Sequence, residues 1–189
     1  MIKFNNVTFS YASREVLKDF SLSIEEGERI CLFAPSGYGK TTLLRLIMGL
    51  EQSDKGEITG LDGKKISVAF QEDRLLPHKT VKENITLFGD SHGADEILEK
   101  IGLSSAATMY PSQCSGGMAR RAAIARAINR DADIYILDEP FNGIDKENIA
   151  LTAEAIMSAT RGKTFIMVSH DTAEAELLDA KVIDISGIQ

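Results

Sequence analysis

A short apolar run that leads directly into a glycine-rich turn and then a helix constrains this chain most. The apolar run extends from Arg29 to Ala34 and is typical of a buried strand. It is followed by Pro35-Ser36-Gly37-Tyr38-Gly39-Lys40-Thr41, and the stretch from Thr41 to Gly49 has the apolar spacing of a helix. Strand, glycine-rich turn and helix in this order are the setting that a phosphate-binding loop requires.

The residues of this loop have the chemistry needed to hold phosphate oxygens. Gly37 and Gly39 lack a Cβ and allow close approach of the backbone. Their amides and those of the following helix can donate to anionic oxygens. Lys40 would place its charge on the β- and γ-phosphates, and the Thr41 hydroxyl can bind Mg²⁺. We therefore predict that a nucleoside triphosphate is bound by Ser36, Gly37, Tyr38, Gly39, Lys40, Thr41 and Thr42.

The loop departs from the usual pattern at its first position, where Ala34 replaces glycine. The small Cβ of alanine is acceptable if the strand end keeps a negative φ, which is the geometry we expect here. The alternative interpretation is a glycine-rich turn that merely joins a strand to a helix.

A second apolar strand, Ile134 to Leu137, ends in the adjacent carboxylates Asp138 and Glu139. Ligands of open α/β sheets bind at the carboxyl ends of parallel strands. Asp138 can hold Mg²⁺ through its water shell, and Glu139 can orient and deprotonate an attacking water. A solvated strand end would explain an Asp-Glu pair by itself, but it becomes a poor explanation when a phosphate loop precedes the pair.

Strand and helix patterns alternate along most of the chain and predict an α/β fold with a parallel sheet covered on both faces. The N-terminal stretches around Phe4 to Tyr11 and Phe20 to Ile24 read as strands. From about Glu72 to Asn129 the pattern is helical, with breaks at glycine and proline. This block predicts an inserted helical subdomain.

Composition limits the partners and the compartment. The formal net charge of −7 argues against nucleic acid, which needs a basic surface. Cys31 and Cys114 lie far apart without metal-ligand spacing and indicate a reducing cytoplasm. We expect neither a signal peptide nor a membrane-spanning segment, because no apolar run approaches the roughly 18 residues that a span needs. If the protein works at a membrane, it should dock onto another chain.

The segment Cys114-Ser115-Gly116-Gly117-Met118-Ala119-Arg120-Arg121 resembles the signature of ABC ATPases. That signature is usually Leu-Ser-Gly-Gly-Gln before a basic, alanine-rich helix, so Cys114 and Met118 are departures. In this family the turn faces the γ-phosphate held by a partner subunit, a role that the resemblance implies for Ser115, Gly116 and Gly117. Taken alone, the segment is also compatible with an ordinary N-capped helix.

Further matches extend the resemblance over almost the whole chain. It implies an adenine-stacking role for Tyr11 with Val16 beside it, and a Q-loop role for Gln71 next to Mg²⁺ and the attacking water. It also implies a D-loop position for Asp145 and a switch role for His170. The predicted catalytic residues are Glu139, His170, Gln71 and Lys40, and the predicted metal ligands are Thr41, Gln71 and Asp138.

The resemblance implies a P-loop NTPase (RecA-like) core with a parallel sheet, an antiparallel β subdomain and an inserted helical subdomain. We predict one ABC ATPase domain over residues 1–189, in which 1–71 and 130–189 form the nucleotide-binding core with the β subdomain. Residues 72–129 would form the helical subdomain that carries the signature. The chain ends soon after the last predicted strand, so we expect no C-terminal regulatory domain.

The stretch from Gln71 to Ile85 resembles the segment after the Q-loop in bacterial importers, especially those of the nitrate, sulfonate and taurine group. The resemblance implies an Mg²⁺-dependent ATPase that pairs with a second ATP-binding subunit, expected to be an identical copy. Transmembrane permease subunits would bind around Leu75 to His78, and a solute-binding protein would complete the system. The expected location is the inner face of the cell membrane. The same stretch is also compatible with a loop that packs only on its own subdomain.

Three other functions remain open at this point. The first is an ABC ATPase of export, lipid trafficking or cell division. The second is a non-transport P-loop NTPase, such as a GTPase or small-molecule kinase, although the sequence has no Asn-Lys-x-Asp guanine motif. The third is a nucleotide-binding module without turnover.

Overall fold

The structure, a computed structural model, describes residues 1–12, 14–35, 37–89 and 93–186 of the 189-residue chain. Ser36, one of the predicted ATP-binding residues, lies outside the described residues. The described part forms, in chain order, β1 (Ile2–Tyr11), β2 (Arg14–Ile24), β3 (Arg29–Phe33), α1 (Lys40–Ile47), β4 (Lys55–Thr59), β5 (Ile66–Ala69), α2 (Val81–Ile85), α3 (Ala94–Lys100), α4 (Gly116–Ile128), β6 (Ile134–Asp138), α5 (Lys146–Ala159), β7 (Thr164–Ser169), α6 (Thr172–Leu177) and β8 (Lys181–Asp184). Short 3₁₀ helices occupy Ser104–Ala106 and Pro111–Gln113.

The larger sheet is parallel, with the described strands in the order β5-β6-β7-β3-β8. Every residue of β6 and β7 is buried, as expected for central strands covered on both faces. The register places Leu137 opposite Met167 and Asp138 opposite Val168. The carboxyl ends of β3, β6 and β7 therefore lie side by side at one edge of the sheet.

A smaller antiparallel sheet, in the order β2-β1-β4, packs beside this core. Phe4 and Phe20 meet edge to face across it, with ring centroids 5.4 Å apart. Its apolar face shares one hydrophobic cluster with β3 and α1. The predicted combination of a parallel core sheet and an antiparallel β part is therefore confirmed.

The segment between β5 and β6 is less uniformly helical than its sequence pattern predicts. Residues 72–80 form bends, a turn and irregular chain, and α2 begins only at Val81. The Asn84 side chain holds this segment, since its Nδ2 donates to the carbonyls of Leu76, Lys79 and Thr80 at 3.0–3.2 Å. Its Oδ1 accepts from the Leu76 amide at 2.7 Å. Such local hydrogen bonds replace the helical ones that the pattern suggests.

The described helices include none with the length and apolarity needed to cross a bilayer.

The helices α2, α3 and α4 share a hydrophobic cluster with β5, β6 and α5. The division into a core and a helical subdomain with boundaries at 72 and 129 stays a prediction.

Candidate active site

An open cleft of about 480 Å³ lies where the phosphate-binding loop, the end of β6 and the start of β2 meet. Most of the residues that line it were predicted from the sequence. The lining consists of Tyr11, Arg14, Val16, Gly37, Gly39, Lys40, Thr41, Thr42, Gln71, Asp138 and Glu139.

The glycines of the phosphate-binding loop adopt backbone conformations that other residues avoid. Gly37 has a φ of 88° and Gly39 a φ of 82°, both in the left-handed region. A Cβ on Gly39 would also lie 3.0 Å from Val16 Cγ1. Ala34 is buried, and its φ is not positive. The expected strand-end geometry at Ala34 is therefore confirmed, and this explains how alanine is tolerated there.

Lys40 lies at the N-terminus of α1 with its side chain turned back over the loop. Its Nζ donates to the carbonyl of Ala34 at 2.5 Å and to that of Pro35 at 3.0 Å. Lys40 is only 8 % exposed. A buried ammonium beside the amides at a helix N-terminus gives the cleft a strong attraction for anionic oxygens.

Asp138 is the last residue of β6, Glu139 follows it, and both line the cleft. Burial raises the pKa of the Asp138 carboxyl, and the negative charge of Glu139 raises it further, while Arg120 and Lys40 lower it. Glu139 has a φ of 47°, and its amide donates to the Val168 carbonyl at 2.9 Å. This left-handed turn redirects the chain directly after the strand and leaves both carboxylates at the cleft.

His170 follows β7 and stands next to the acidic pair. Its Nδ1 lies 3.5 Å from Glu139 Oε1, and its side chain is 65 % exposed. The loop that carries it is fixed by Ser169, whose hydroxyl donates to Glu174 at 2.6 Å and accepts from the Asp171 amide at 2.9 Å. Burial raises the pKa of the Glu174 carboxyl, and Asp171 and Glu139 add to this, while the hydrogen bond from Ser169 lowers it.

Tyr11 and Gln71 line the cleft from two other directions. The Tyr11 ring packs edge to face on Phe9 at 4.8 Å, and its hydroxyl donates to Glu51 at 3.2 Å. Gln71 is exposed and lies two residues after the end of β5. Among the predicted ATP-binding residues that the structure describes, Tyr38 is the exception, because its side chain packs against the hydrophobic cluster that the smaller sheet shares with β3 and α1 and does not line the cleft.

The predicted signature residues lie elsewhere on the chain, at the N-terminus of α4. Ser115 caps this helix by accepting from the Met118 amide at 3.2 Å. Ser115 and Gly116 are exposed, and none of Ser115, Gly116 and Gly117 lines the cleft of its own chain. The structure thus separates two sites that both suit anions.

Gly117 touches the segment in which Asp145 was predicted as the D-loop residue. A Cβ built on Gly117 would lie 2.9 Å from the carbonyl oxygen of Gly143 and 3.9 Å from Asp145 Oδ2. A Cβ built on Gly116 would meet no atom within 4 Å. The two neighbouring glycines therefore differ sharply in the space around them.

This difference gives a prediction for stability. Gly117→Ala should lower the free energy of unfolding by about 1–3 kcal/mol, because overpacking forces the two backbones apart. Gly116→Ala, the matched control, should stay within about 0.5 kcal/mol of the wild type or be slightly more stable. Urea denaturation of both variants measures the effect, and equal stability of the two would contradict the predicted clash.

The cleft presents oxygen donors suited to a hard divalent cation. Thr41, Gln71 and Asp138 all line it, and hydroxyl, amide and carboxylate oxygens are the ligand types that Mg²⁺ takes, usually together with water and substrate phosphates. The described residues contain no group of three or more histidine, cysteine, aspartate or glutamate side chains that could hold a metal alone. The donor set therefore fits Mg²⁺ brought by a nucleotide.

Sequence reasoning missed three residues around this site. Arg14 lines the cleft beside Tyr11, Glu174 anchors the His170 loop, and Arg120 reaches the backbone behind the acidic pair. Glu174 had a readable signal, because it stands in the first turn of a helix capped by Asp171. The contacts of Arg120 are with distant carbonyls, and these leave no pattern in the sequence.

A parallel sheet with a phosphate-binding loop after one strand and an acidic pair after another defines a P-loop nucleoside triphosphatase. The sequence profile of the ABC transporter family matches residues 17–142. The chain belongs to this family and is an ABC-type ATPase, which rules out the GTPase and small-molecule kinase alternatives.

Import ATP-binding proteins of two bacteria resemble the chain over most of its length. It is 39% identical over 181 residues to an aliphatic sulfonates import ATP-binding protein of Pseudomonas savastanoi, covering 92% of this chain and 76% of the relative. It is 40% identical to another of Pseudomonas syringae, covering 92% and 77%. The predicted resemblance to importer ATPases of the nitrate, sulfonate and taurine group is therefore confirmed.

Solved structures agree with the fold. The ATP-binding cassette MJ0796, in a dimeric post-hydrolysis state bound to ADP and Pi, superposes with a TM-score of 0.78 at 31% identity, covering 94% of this chain and 91% of that one. A dimeric structure of the same bacterial ABC transporter cassette also gives 0.78, at 29% identity and with 98% and 95% coverage. The predicted fold class is confirmed by both.

Proposed function

We propose that this chain is the ATP-hydrolysing subunit of a bacterial solute importer and that two copies pair around ATP. One observation carries the proposal. The cleft gathers Lys40, Gln71, Asp138 and Glu139, whereas the second anion site, Ser115 to Gly117, lies outside the cleft of its own chain. A second copy of the chain is the simplest way to bring a Ser115 to Gly117 site to the cleft.

Within one chain, each group at the cleft has a distinct task. Lys40 would leave the carbonyls of Ala34 and Pro35 and donate to the β- and γ-phosphates. Glu139 would orient the attacking water and accept its proton. His170, 3.5 Å from Glu139, would contact the γ-phosphate and fix the direction of that carboxylate. Tyr11 would stack on adenine beside Val16, and the reaction would gain its rate from positioning and electrostatics.

Thr41, Gln71 and Asp138 would hold Mg²⁺. The ion would neutralise phosphate charge when bound. Because the pKa of Asp138 is raised by burial and by Glu139, a nearby cation would restore the preference of this carboxyl for its ionised form.

Pairing would bring the Ser115 hydroxyl and the amides of Gly116 and Gly117 from one copy onto the γ-phosphate held by the other. The N-terminus of a 13-residue helix such as α4 favours an anion at this point. The similarity to cassettes solved as dimers supports this arrangement. ATP would join the two copies, and hydrolysis would release them.

The surface beside Gln71 offers a docking place for membrane subunits. Leu75 and Leu76 are partly exposed and are followed by exposed Pro77 and His78. A groove of about 430 Å³ runs past Leu76 and is lined by Phe70, Phe88 and the arginines 74, 126 and 130. Phe88 is 67 % exposed. Apolar side chains with arginine at the rim are typical of protein interfaces.

Import is proposed because the relatives are sulfonate import ATP-binding proteins. In that role the chain would lie at the inner face of the membrane, bind permease subunits through the region around Leu75 to His78, and work with an extracytoplasmic solute-binding protein.

We also propose residues 72–129 as the helical subdomain, supported by the position of α2, α3 and α4 between β5 and β6.

The docking proposal is tested by capture from detergent-solubilised membranes of cells that express the tagged chain. We expect an integral membrane permease to copurify with the wild type and to be lost, by about tenfold or more, with Leu76→Asp. Leu151→Asp is the matched control, because Leu151 is also an exposed leucine, at 44 %, but lies on α5. Equal recovery with both variants, or recovery of no membrane protein by the wild type, would contradict the docking proposal.

A further inference from the structure

Arg120 is a buried arginine of α4 whose guanidinium reaches the backbone of both the Gln71 segment and the acidic strand end. It is 3% exposed. Its Nη1 donates to the carbonyls of Phe70 at 2.5 Å and Gln71 at 3.3 Å. Its Nη2 donates to the carbonyls of Asp138 and Glu139, the latter at 2.8 Å. Its Nε donates to the Pro140 carbonyl at 3.2 Å, so every nitrogen of the guanidinium is engaged.

Among the described residues, Asp73 is the carboxylate that forms an ion pair with this guanidinium, at 3.5 Å from Nη1, while the charges of Asp138 and Glu139 act on it from farther away. Burial lowers the pKa of Arg120, and the charge of Asp73 opposes this effect. Most hydrogen bonds of this buried guanidinium go to main-chain carbonyls. Because the guanidinium is planar and its N–H directions are fixed, bonding to all of these carbonyls at once fixes their relative positions.

The next arginine of the same helix makes a useful contrast. Arg121 is buried to a similar degree, at 6% exposed, and its Nη1 donates to the carbonyls of Ile101 and Gly102 at 2.6 and 3.3 Å. Those carbonyls follow α3, on the helical side of the structure. Arg121 therefore connects α4 to the end of α3, whereas Arg120 connects α4 to the backbone segments of Gln71 and Glu139 that line the cleft.

The contacts of Arg120 connect three parts of the proposed site. Arg120 lies three residues after Gly117 in α4, and its contacts end on the peptide groups of Gln71, Asp138 and Glu139. Since Glu139 has a φ of 47°, its carboxylate direction depends on how its peptide is held on both sides. The Val168 carbonyl holds its amide, and Arg120 holds its carbonyl.

We propose that Arg120 is a positioning residue for hydrolysis: it sets Gln71 and Glu139 at the distance and angle that the attacking water needs, relative to the helix that carries Ser115 to Gly117. This inference rests on the proposed function for the roles of Gln71 and Glu139. Arg120 itself touches neither nucleotide nor water in this mechanism.

The test compares Arg120→Gln and Arg120→Lys with Arg121→Gln and Arg121→Lys in the full chain. Arg120→Gln should lower kcat for Mg²⁺-ATP by about 10- to 100-fold, because a misplacement near 1 Å costs that much. The Kd for ATP should change by no more than about threefold, since Arg120 acts on the transition state and not on binding. Arg120→Lys keeps the buried charge but loses the fork, and its kcat should be intermediate.

Trapping with Mg²⁺, ADP and orthovanadate separates positioning from stability. In the Arg120 variants the affinity for this transition-state analogue should fall by the same factor as kcat. The Arg121 variants should show a similar loss of melting temperature but should keep kcat and trapping within about twofold. If both arginines reduced kcat equally, or if the Arg120 variants kept wild-type kcat, the proposal would be overturned. Should Arg120→Gln not fold, Arg120→Lys decides by the same criterion.

The wild type and Glu139→Gln are measured beside these variants. Absence of turnover in the wild type, or wild-type turnover in Glu139→Gln, contradicts the proposed function. Wild-type kcat in Arg120→Lys, with Glu139→Gln inactive, contradicts only the role of Arg120.

Discussion

Glu139→Gln should lower kcat for ATP hydrolysis by about 1000-fold while ATP still binds, because loss of a general base typically costs 10²- to 10⁴-fold. The amide cannot accept the proton of the attacking water, yet it has nearly the size of the carboxylate. Glu139 is well placed for this task, since it lines the cleft with Lys40 and lies 3.5 Å from His170. Phosphate release measures kcat, and light scattering with size-exclusion chromatography measures pairing.

The same variant should accumulate as an ATP-bound pair of chains, because hydrolysis can no longer separate them. Glu147→Gln is the matched control, since it removes one carboxylate charge at an exposed position in the first turn of α5. It should keep wild-type turnover and should not accumulate pairs. If Glu139→Gln bound ATP yet stayed monomeric, even with its membrane partners present, pairing around ATP would be wrong.

Lys40→Ala should weaken ATP binding by about 100-fold, which corresponds to the loss of a charge-assisted hydrogen bond of about 1.5–3 kcal/mol. The Nζ of Lys40 lies within the phosphate-binding loop, where it donates to the carbonyls of Ala34 and Pro35. Titration calorimetry with Mg²⁺-ATP gives the Kd, and phosphate release should disappear at ATP concentrations that saturate the wild type.

Lys163→Ala controls for the loss of one positive charge. Lys163 pairs with Asp131 at 3.1 Å on the surface, and surface ion pairs of this kind contribute little. This variant should bind ATP as the wild type does. Unchanged ATP affinity in Lys40→Ala would remove the phosphate-binding role assigned to the loop.

The sequence predicted the parts of the fold that local pattern determines. Apolar runs predicted the strands β3 and β6 to within one residue at each end, because central parallel strands are apolar on both faces. The loop between β3 and α1 followed from its glycines and Lys40. Local chemistry of this kind can be read without knowledge of distant contacts.

The prediction was weaker where distant contacts decide the structure. The helical pattern after Glu72 was extended too far, although Thr80 and Glu83 form a capping box that marks the true start of α2. The role of Asn84 in holding residues 76–80 could not be read, since the same residue type is common on helix surfaces. Arg120 was visible only as part of a basic helix, and its partners lie 18 to 50 positions away.

The contact between Gly117 and the Gly143 carbonyl leaves no space for even a methyl group. Because the two backbones are in close contact, a displacement of Gly117 also displaces Gly143. Gly143 belongs to the short stretch that runs from Glu139 to the start of α5. In the proposed pair, a movement of the Ser115 to Gly117 turn on the nucleotide of the other copy would therefore also move the segment that follows Glu139 in this chain, so that binding at one nucleotide site would affect the other site.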